Sequence, residues 1–403
     1  MVNDSGELRV PNRLILTPGP SPLDPRVYRA LSTPIVGHMD PWFSEVVSDV
    51  QTLLRQVFKT ANRITLPLSA SGSGGIEAAV VNPLEPGDEA IVCVNGVFSE
   101  RMAVMASRIG AFVHRVECPL GMAVDPDDVR RVGRGRKIRL IGVCHGEAST
   151  GVMTSLDDFR RVANELNALL VVDAVATLVG VPLNIDRQGI DLCFSATQKA
   201  ISGPPGMAPI TLSPCMEEVL RARRTPVRSW YFDLTNAMNF WGEERTGQQT
   251  PSISIAFALR EALRIVLEEG LEASWQRHKQ NQLALIAGLE ALGLRLFVTS
   301  AAERLPTVTS ICVPEELEEG RIRLQLREEF GIEIAGGVGS LSGKILRVGL
   351  MGFGSQAKHV LLLLAALGKV LRDQGWGLSG GEGIKAALRF CSQTEESTTL
   401  VTN

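Results

Sequence analysis

Lys199 sits in Ser195-Ala-Thr-Gln-Lys-Ala-Ile-Ser-Gly-Pro-Pro-Gly-Met and is the one charged residue between Leu192 and Met216. A lysine enclosed by small hydroxyls, an amide and a stiff turn has limited access to water. Its amine then loses proton affinity and becomes a usable nucleophile toward an aldehyde. Taken alone, an exposed loop lysine is the alternative. Asp173 ends the apolar run Leu169-Leu-Val-Val, where a carboxylate must reach solvent or meet a cation. A helix cap or a metal ligand are its other uses, but no neighbouring His or Glu completes a hard-ion site. Ser69-Ala-Ser-Gly-Ser-Gly-Gly-Ile-Glu puts glycines and hydroxyls directly before a helix start. Free backbone N–H groups and the helix dipole favour a phosphate there, although a flexible turn with a helix cap reads the same way. It is not a Walker loop, because no Gly-Lys-Ser/Thr follows, and Glu77 stands where a GxGxxG fingerprint needs its last glycine.

An anion cradle, a carboxylate and a shielded amine together describe a site for pyridoxal 5'-phosphate. Asp173 would face the pyridinium nitrogen and make the ring an electron sink. Lys199 would meet the aldehyde carbon and, once freed by substrate, move a proton as general acid and base.

These residues need a scaffold that gathers strand ends. Strand-like and helix-like segments alternate along the chain: strands at Ala90–Val94, Phe112–Val116, Ile138–Cys144, Leu169–Asp173 and Ile190–Phe194, with helices near Ser99–Ile109 and Leu156–Leu166. The apolar residues from Trp42 to Phe58 recur at helical spacing, and Ser155-Leu-Asp-Asp has the spacing of a capping box. Such alternation predicts an α/β fold with a mostly parallel sheet covered by helices, whose ligands bind at the carboxyl ends of the strands. Past Thr250 long helices are expected at Ser254–Glu269 and Glu272–Leu292. Short strands follow near Thr307–Val313 and Ile345–Leu350, then a helix at Lys358–Arg372. The expected organisation is an N-terminal arm (1–25), a large domain (26–269) and a smaller C-terminal α+β domain (270–403). Thr-Pro-Gly-Pro-Ser-Pro at 17–22 reads as an extended strap, and Gln393–Thr402 as a frayed tail.

Composition narrows the partners. Lys plus Arg is 41 against 44 Asp plus Glu, a net charge of -3, so no basic excess attracts nucleic acid or an anionic membrane. The seven cysteines, at 93, 118, 144, 193, 215, 312 and 391, are scattered without a C-x-x-C pair. That spacing argues against a disulfide framework or a zinc site. The longest apolar run, Val360–Leu367, is far below the roughly 20 residues that span a bilayer, and the first residues lack an apolar leader segment. A soluble cytoplasmic protein handling small molecules is expected.

The chain resembles the class V aminotransferases of pyridoxal-phosphate fold type I, in particular the alanine-glyoxylate and serine-pyruvate group. The likeness is carried by Thr-Pro-Gly-Pro-Ser at 17–21, Ser71-Gly-Ser, Glu-Pro-Gly-Asp at 85–88, Asn95-Gly and His145-Gly-Glu-Ala-Ser-Thr-Gly. It continues through Val172-Asp-Ala-Val-Ala, Gln198-Lys-Ala, Thr250-Pro and Lys344-Ile-Leu-Arg-Val-Gly-Leu. The resemblance implies Lys199 as the Schiff-base lysine, Asp173 as the ring-nitrogen partner, and Ser71, Gly72, Ser73 and Gln198 around the phosphate. Phe98 would stack on one face of the cofactor and Val175 pack on the other. Thr250 would reach the phosphate of a neighbouring subunit, implying a homodimer with shared sites. Arg347 would clamp the substrate carboxylate, a task suited to its planar fork; a solvent-facing strand arginine is the plain alternative. Ala148 and Gly247 depart from the family, which generally has a Ser or Thr hydroxyl at the first position and a Tyr at the second. Losing that hydroxyl removes one hydrogen bond to the ring oxygen, about 1 kcal/mol if nothing replaces it.

The implied reaction moves an amino group from alanine or serine to the 2-oxo acid glyoxylate or pyruvate. Gly37-His-Met-Asp and Gly380-Gly-Glu-Gly-Ile-Lys-Ala-Ala are also similar to ureidoglycine-glyoxylate aminotransferases, with His38 a candidate for the substrate pocket. A lyase or desulfurase on the same fold is a third reading, but it commonly needs a reactive cysteine on a mobile loop. Cys312, in the apolar run Ser-Ile-Cys-Val, reads as packing.

Overall fold

A computed structural model describes residues 6, 8–241, 250–377 and 380–390. Gly247, Cys391 and the Gln393–Thr402 tail lie outside the described residues. In chain order the strands are β1 (Leu14–Ile15), β2 (Ile64–Leu68), β3 (Glu89–Val94), β4 (Phe112–Glu117), β5 (Ile138–Cys144), β6 (Gly146–Glu147) and β7 (Val152–Met153). They continue with β8 (Leu169–Asp173), β9 (Leu192–Phe194), β10 (Ala208–Leu212), β11 (Val308–Cys312), β12 (Ile332–Glu333), β13 (Ala335–Gly336) and β14 (Ile345–Gly349).

The central sheet has seven strands in the order β2-β10-β9-β8-β5-β3-β4. The pairs β9–β8, β8–β5, β5–β3 and β3–β4 are parallel, and β10 runs antiparallel to both β9 and β2. The mostly parallel sheet is therefore as expected, with one reversed strand. Every residue of β8 is buried, which fits an apolar strand covered by helices on both faces. The expected strand at Ile190–Phe194 shortens to Leu192–Phe194.

Helices α1 (Pro25–Leu31), α2 (Pro41–Phe58), α3 (Gly72–Val81) and α4 (Val97–Ile109) lead into or cover this sheet. In α2, Asp40 caps the first turn by accepting from the Trp42 N–H at 2.9 Å, and Pro41 occupies the first helical position. Its periodic face buries Phe43, Val46, Val47, Val50, Leu54, Val57 and Phe58, each worth about 1.5–3 kcal/mol when fully removed from water. Trp42 departs from that face and is 50% exposed.

The helix expected at Leu156–Leu166 is shorter, Phe159–Glu165, and the capping box at Ser155 does not form. The Ser155 hydroxyl instead bonds Asp157, and the helix begins after Asp158 without a side-chain cap. Leu156 is still buried: the position faces the core, but from the turn before the helix.

A second apolar cluster gathers Leu16, Leu285, Leu289, Ile311, Ile322, Leu326, Leu346, Val348, Val360, Leu363 and Leu367. It lies around the sheet β11-β14-β13, whose pairs are antiparallel, with the helices Leu271–Ala291, Glu319–Phe330 and Ala357–Asp373. The first strand belongs here too. Leu14 and Ile15 pair in parallel with Ile332 and Glu333, and the Gly349 N–H donates to the Leu16 carbonyl at 2.8 Å. The path thus runs from β1, in a two-stranded sheet with β12 beside the C-terminal one, to the central sheet, and returns to the second cluster after Leu271.

Candidate active site

Six strands of the central sheet point their carboxyl ends the same way, and β10 begins at that end. Five loops leave this edge carrying chemistry: Ser69–Ser73 after β2, Asn95–Phe98 after β3, His145–Ser149 after β5, Ala174–Ala176 after β8, and Ser195–Lys199 after β9. They enclose a cavity lined by Ser71, Gly72, Ser73, Phe98, Ala148, Asp173, Val175, Gln198 and Lys199, among others. Eight of these are site residues expected from the residue types or from the family resemblance, Ala148 is the departure noted with them, and the fold brings all nine to one place. A broad cleft at the opposite sheet edge, around Ile138 and Leu169 at the starts of β5 and β8, holds none of them.

Lys199 is largely enclosed, and its Nζ donates to the Pro18 carbonyl. The strap at 17–22 is what encloses it. The Ser21 N–H donates to the Gln198 carbonyl at 2.9 Å, and the Ser21 hydroxyl donates to the Lys199 carbonyl at 2.7 Å. Burial pushes the Lys199 ammonium down to about 8; the nearby Asp173 carboxylate pulls it back up and Arg347 pushes it down further. A neutral amine near physiological pH is what nucleophilic attack on a carbonyl carbon requires.

Asp173 is buried, and its carboxyl is pushed up to about 7, chiefly by burial. The Val175 N–H, donating to Oδ1 at 2.8 Å, works against that rise. A buried carboxyl with this single described hydrogen bond is poised to receive a cationic N–H, which would restore its charge.

At one wall of the cavity, Ser71 precedes α3 without using its hydroxyl as a cap. The backbone N–H groups of the first turn are therefore open to an anion. Gly72 keeps the floor low: a β-carbon there would stand 3.2 Å from the Ala196 β-carbon and 3.4 Å from Val175 Cγ2. The Gln198 Oε1 is buried without a hydrogen-bond partner among the described residues.

Arg347, in the middle strand of the C-terminal sheet, donates from Nε to the Gly336 carbonyl and from Nη1 to the Ala148 carbonyl, both at 2.7 Å. It is buried yet makes no ion pair among the described residues. Its guanidinium is thus fixed in direction and has a donor edge left for a ligand carboxylate. Ala148, noted for its missing hydroxyl, contributes its backbone carbonyl to this clamp. Thr250 is exposed and outside the cavity. His38 is half-buried, packs on Phe240 with ring centroids 6.4 Å apart, and does not line the cavity within one chain.

Two motif residues have structural roles that the sequence did not reveal. His145 is buried and pushed down to about 4 by burial, so it is neutral, with Nδ1 3.0 Å from the Thr177 hydroxyl. Glu147 is fully buried and accepts from the Ser99 N–H at 3.0 Å, the Ser99 hydroxyl at 3.0 Å, the Ser149 N–H at 3.1 Å and the Ser149 hydroxyl at 2.5 Å. Its carboxylate sits at the N-terminus of α4, where the helix dipole favours it, and fixes the turn that carries Phe98. Only the donors around it, scattered in sequence, would have signalled this.

Neither Cys144 nor Cys312 presents a reactive thiol. Cys144 lines the cavity but is buried, with its thiol pushed well up; Cys312 donates its backbone N–H to the Arg295 carbonyl, and burial raises its thiol too. No group of metal-ligating side chains occurs among the described residues, and none of their helices is long and apolar enough to cross a membrane.

The family model for class-V aminotransferases matches residues 28–354. An (S)-ureidoglycine–glyoxylate transaminase of Bacillus subtilis (strain 168) is 38% identical over 400 residues, 95% of this chain and 96% of its own. An alanine–glyoxylate aminotransferase of Callithrix jacchus is 39% identical over 368 residues, 91% of this chain and 89% of its own. The solved ureidoglycine-glyoxylate aminotransferase from Bacillus subtilis superposes with a TM-score of 0.93 at 39% identity, covering 96% of this chain and 100% of that one.

Proposed function

Because this chain belongs to the class-V aminotransferase family, and is an aminotransferase, we propose that it uses pyridoxal 5'-phosphate to move an amino group from alanine or serine to glyoxylate. The observation that carries this reading is the convergence of a depressed lysine, Lys199, and a buried carboxyl, Asp173, on one cavity at the carboxyl edge of the sheet.

The donor set fits the cofactor. Ser71, Gly72, Ser73 and Gln198 would hold the phosphate with hydroxyls, the free N–H groups at the start of α3 and the Gln198 amide NH2. Phe98 and Val175 would take the two ring faces, and Asp173 would take the ring nitrogen. When bound, the cofactor supplies an electron sink for negative charge developing at the substrate α-carbon. Lys199 Nζ removes the proton from that carbon, and the strap at 17–22 restricts competing water. Arg347 orients the substrate carboxylate, which sets the α-carbon hydrogen toward Lys199.

Glyoxylate as acceptor is supported by its place in the names of both groups of relatives. A second donor, ureidoglycine, is favoured by the length of the Bacillus match, 400 residues against 368 for the alanine enzyme. Thr250, exposed and away from its own cavity, fits a residue serving a neighbouring subunit. The exposed Ile35, Met39 and Trp42 fit a surface covered by a second copy. The division into an arm, residues 26–269 and residues 270–403 is part of the same reading.

The test is a panel of donors (alanine, serine and ureidoglycine) against glyoxylate and pyruvate with the cofactor-loaded protein. Glycine formation from glyoxylate with parallel initial-rate plots is expected. Product formed equally well without any oxo acid would overturn it in favour of a lyase.

A further inference from the structure

None of the cradle residues Ser71, Gly72, Ser73 and Gln198 carries a positive charge, although the group they are read as holding is a phosphate. Arg101 stands directly behind them. It lies one turn after Phe98 on α4, is half-buried, and donates from Nη1 to the Ser73 hydroxyl at 2.9 Å. Its guanidinium carbon is 5.2 Å from the centre of the Phe98 ring, a distance at which an aromatic face attracts and orients a cation. Its neighbours find acids: Arg115 pairs with Glu100 and Glu117. Arg101 makes no ion pair among the described residues, where its guanidinium meets a hydroxyl and a ring.

We propose that Arg101 is a positioning residue for the cofactor phosphate, resting on the pyridoxal-phosphate reading above. Phe98 holds the guanidinium flat, and Nη1 fixes the Ser73 oxygen as an acceptor. The Ser73 O–H is thereby aimed away from Arg101 and into the cradle as a donor. The guanidinium also adds the positive charge that hydroxyls and amides lack, strengthening every hydrogen bond to an anion at the start of α3. The selectivity this confers is for a phosphorylated over a non-phosphorylated aldehyde.

The experiment compares the dissociation constants of pyridoxal phosphate and pyridoxal for the cofactor-free protein and for Arg101→Met, Arg101→Lys, Ser73→Ala and the Arg101→Met/Ser73→Ala pair, by absorbance titration. Arg101→Met should weaken pyridoxal phosphate about tenfold or more while leaving pyridoxal within about twofold. Arg101→Lys should recover part of the loss. The double variant should lose less than the product of the two single losses, because Arg101 acts through Ser73. Equal weakening of both aldehydes, or of neither, overturns the proposal and leaves Arg101 as packing for Phe98. Failure of the unaltered protein to take up either aldehyde removes the cofactor reading and this proposal with it, a result distinct from the others.

Discussion

Lys199 Nζ donates to the Pro18 carbonyl, and a β-carbon on the adjacent Gly19 would stand 2.5 Å from the same nitrogen. The amine and the strap therefore share one space. Gly19 also has φ +108, a conformation that side chains resist. Gly19→Ala is expected to push the lysine aside and strain the strap, slowing cofactor uptake about tenfold or more in a stopped-flow absorbance trace. Uptake at the normal rate would mean that the strap lifts before the cofactor enters.

The depressed Lys199 sets a pH dependence. With its ammonium held down to about 8 by burial, the neutral amine grows in population as pH rises through 8 and saturates above. The rate of covalent uptake should follow that curve, rather than one centred on the 10.5 of an exposed lysine. Borohydride reduction of the loaded protein should fix the cofactor's mass to the peptide carrying Lys199. Lys199→Ala should cut turnover by about 10³-fold or more, since it removes the proton-transferring group as well.

Asp173 acts on stability in the opposite sense from an ion-paired acid. Its folded carboxyl keeps a proton up to about 7, whereas the unfolded chain releases it near 3.8. Its contribution is fully present below about 3.8, declines as pH rises, and is lost above 7. Cofactor-free Asp173→Asn should escape this decline. Between pH 5 and pH 7.5 the unaltered protein should lose roughly 2 kcal/mol more unfolding free energy than the variant, measured by urea titration. Parallel profiles would show that water or a cation already satisfies the carboxylate.

Glu147 is where a charge belongs to the scaffold. Glu147→Gln replaces an acceptor for three N–H groups, of Phe98, Ser99 and Ser149, and two hydroxyls with an amide whose NH2 end faces donors. About 2–3 kcal/mol of stability should go, read as a lower urea midpoint at unchanged slope. The turn bearing Phe98 should loosen with it, so pyridoxal phosphate and pyridoxal should weaken together, unlike the pattern expected for Arg101.

What the sequence disclosed depended on how local the cause was. The runs of β5, β8 and β9 and the periodic face of α2 follow from nearest neighbours, and the carboxyl ends of β8 and β9 lead to Asp173 and Lys199. β2 and β10 were not legible, because Pro67 and Pro209 suppress a strand reading. In the fold these two prolines lie opposite each other, and the Pro209 carbonyl still accepts from the Ser195 N–H at 2.8 Å. Ser155 had the spacing of a cap but an acidic neighbour, Asp157, took its hydroxyl. Ser21, Glu147 and Arg101 act across long sequence separations, on Lys199, Ser99 and Ser73, and no spacing rule connects such pairs.

On the proposed reading, Arg347 would separate binding of the carboxylate from the chemistry at the α-carbon. Its Nε and Nη1 are held by the Gly336 and Ala148 carbonyls, so the remaining donor edge has one direction. A lysine at this position keeps the charge but has no planar fork and cannot satisfy both carbonyls and a ligand at once. Arg347→Lys should lower kcat/KM by roughly tenfold to a hundredfold. Donor and acceptor should suffer alike, because each presents a carboxylate to the same pocket in its half of the cycle. The loss should fall mainly on KM if Arg347 holds both ground and transition states, and on kcat if it sets the angle of the α-carbon hydrogen toward Lys199. An amine donor lacking a carboxylate supplies the control: the unaltered protein and the variant should process it at the same rate, and a loss there equal to that for alanine would move Arg347 out of substrate binding and into the frame.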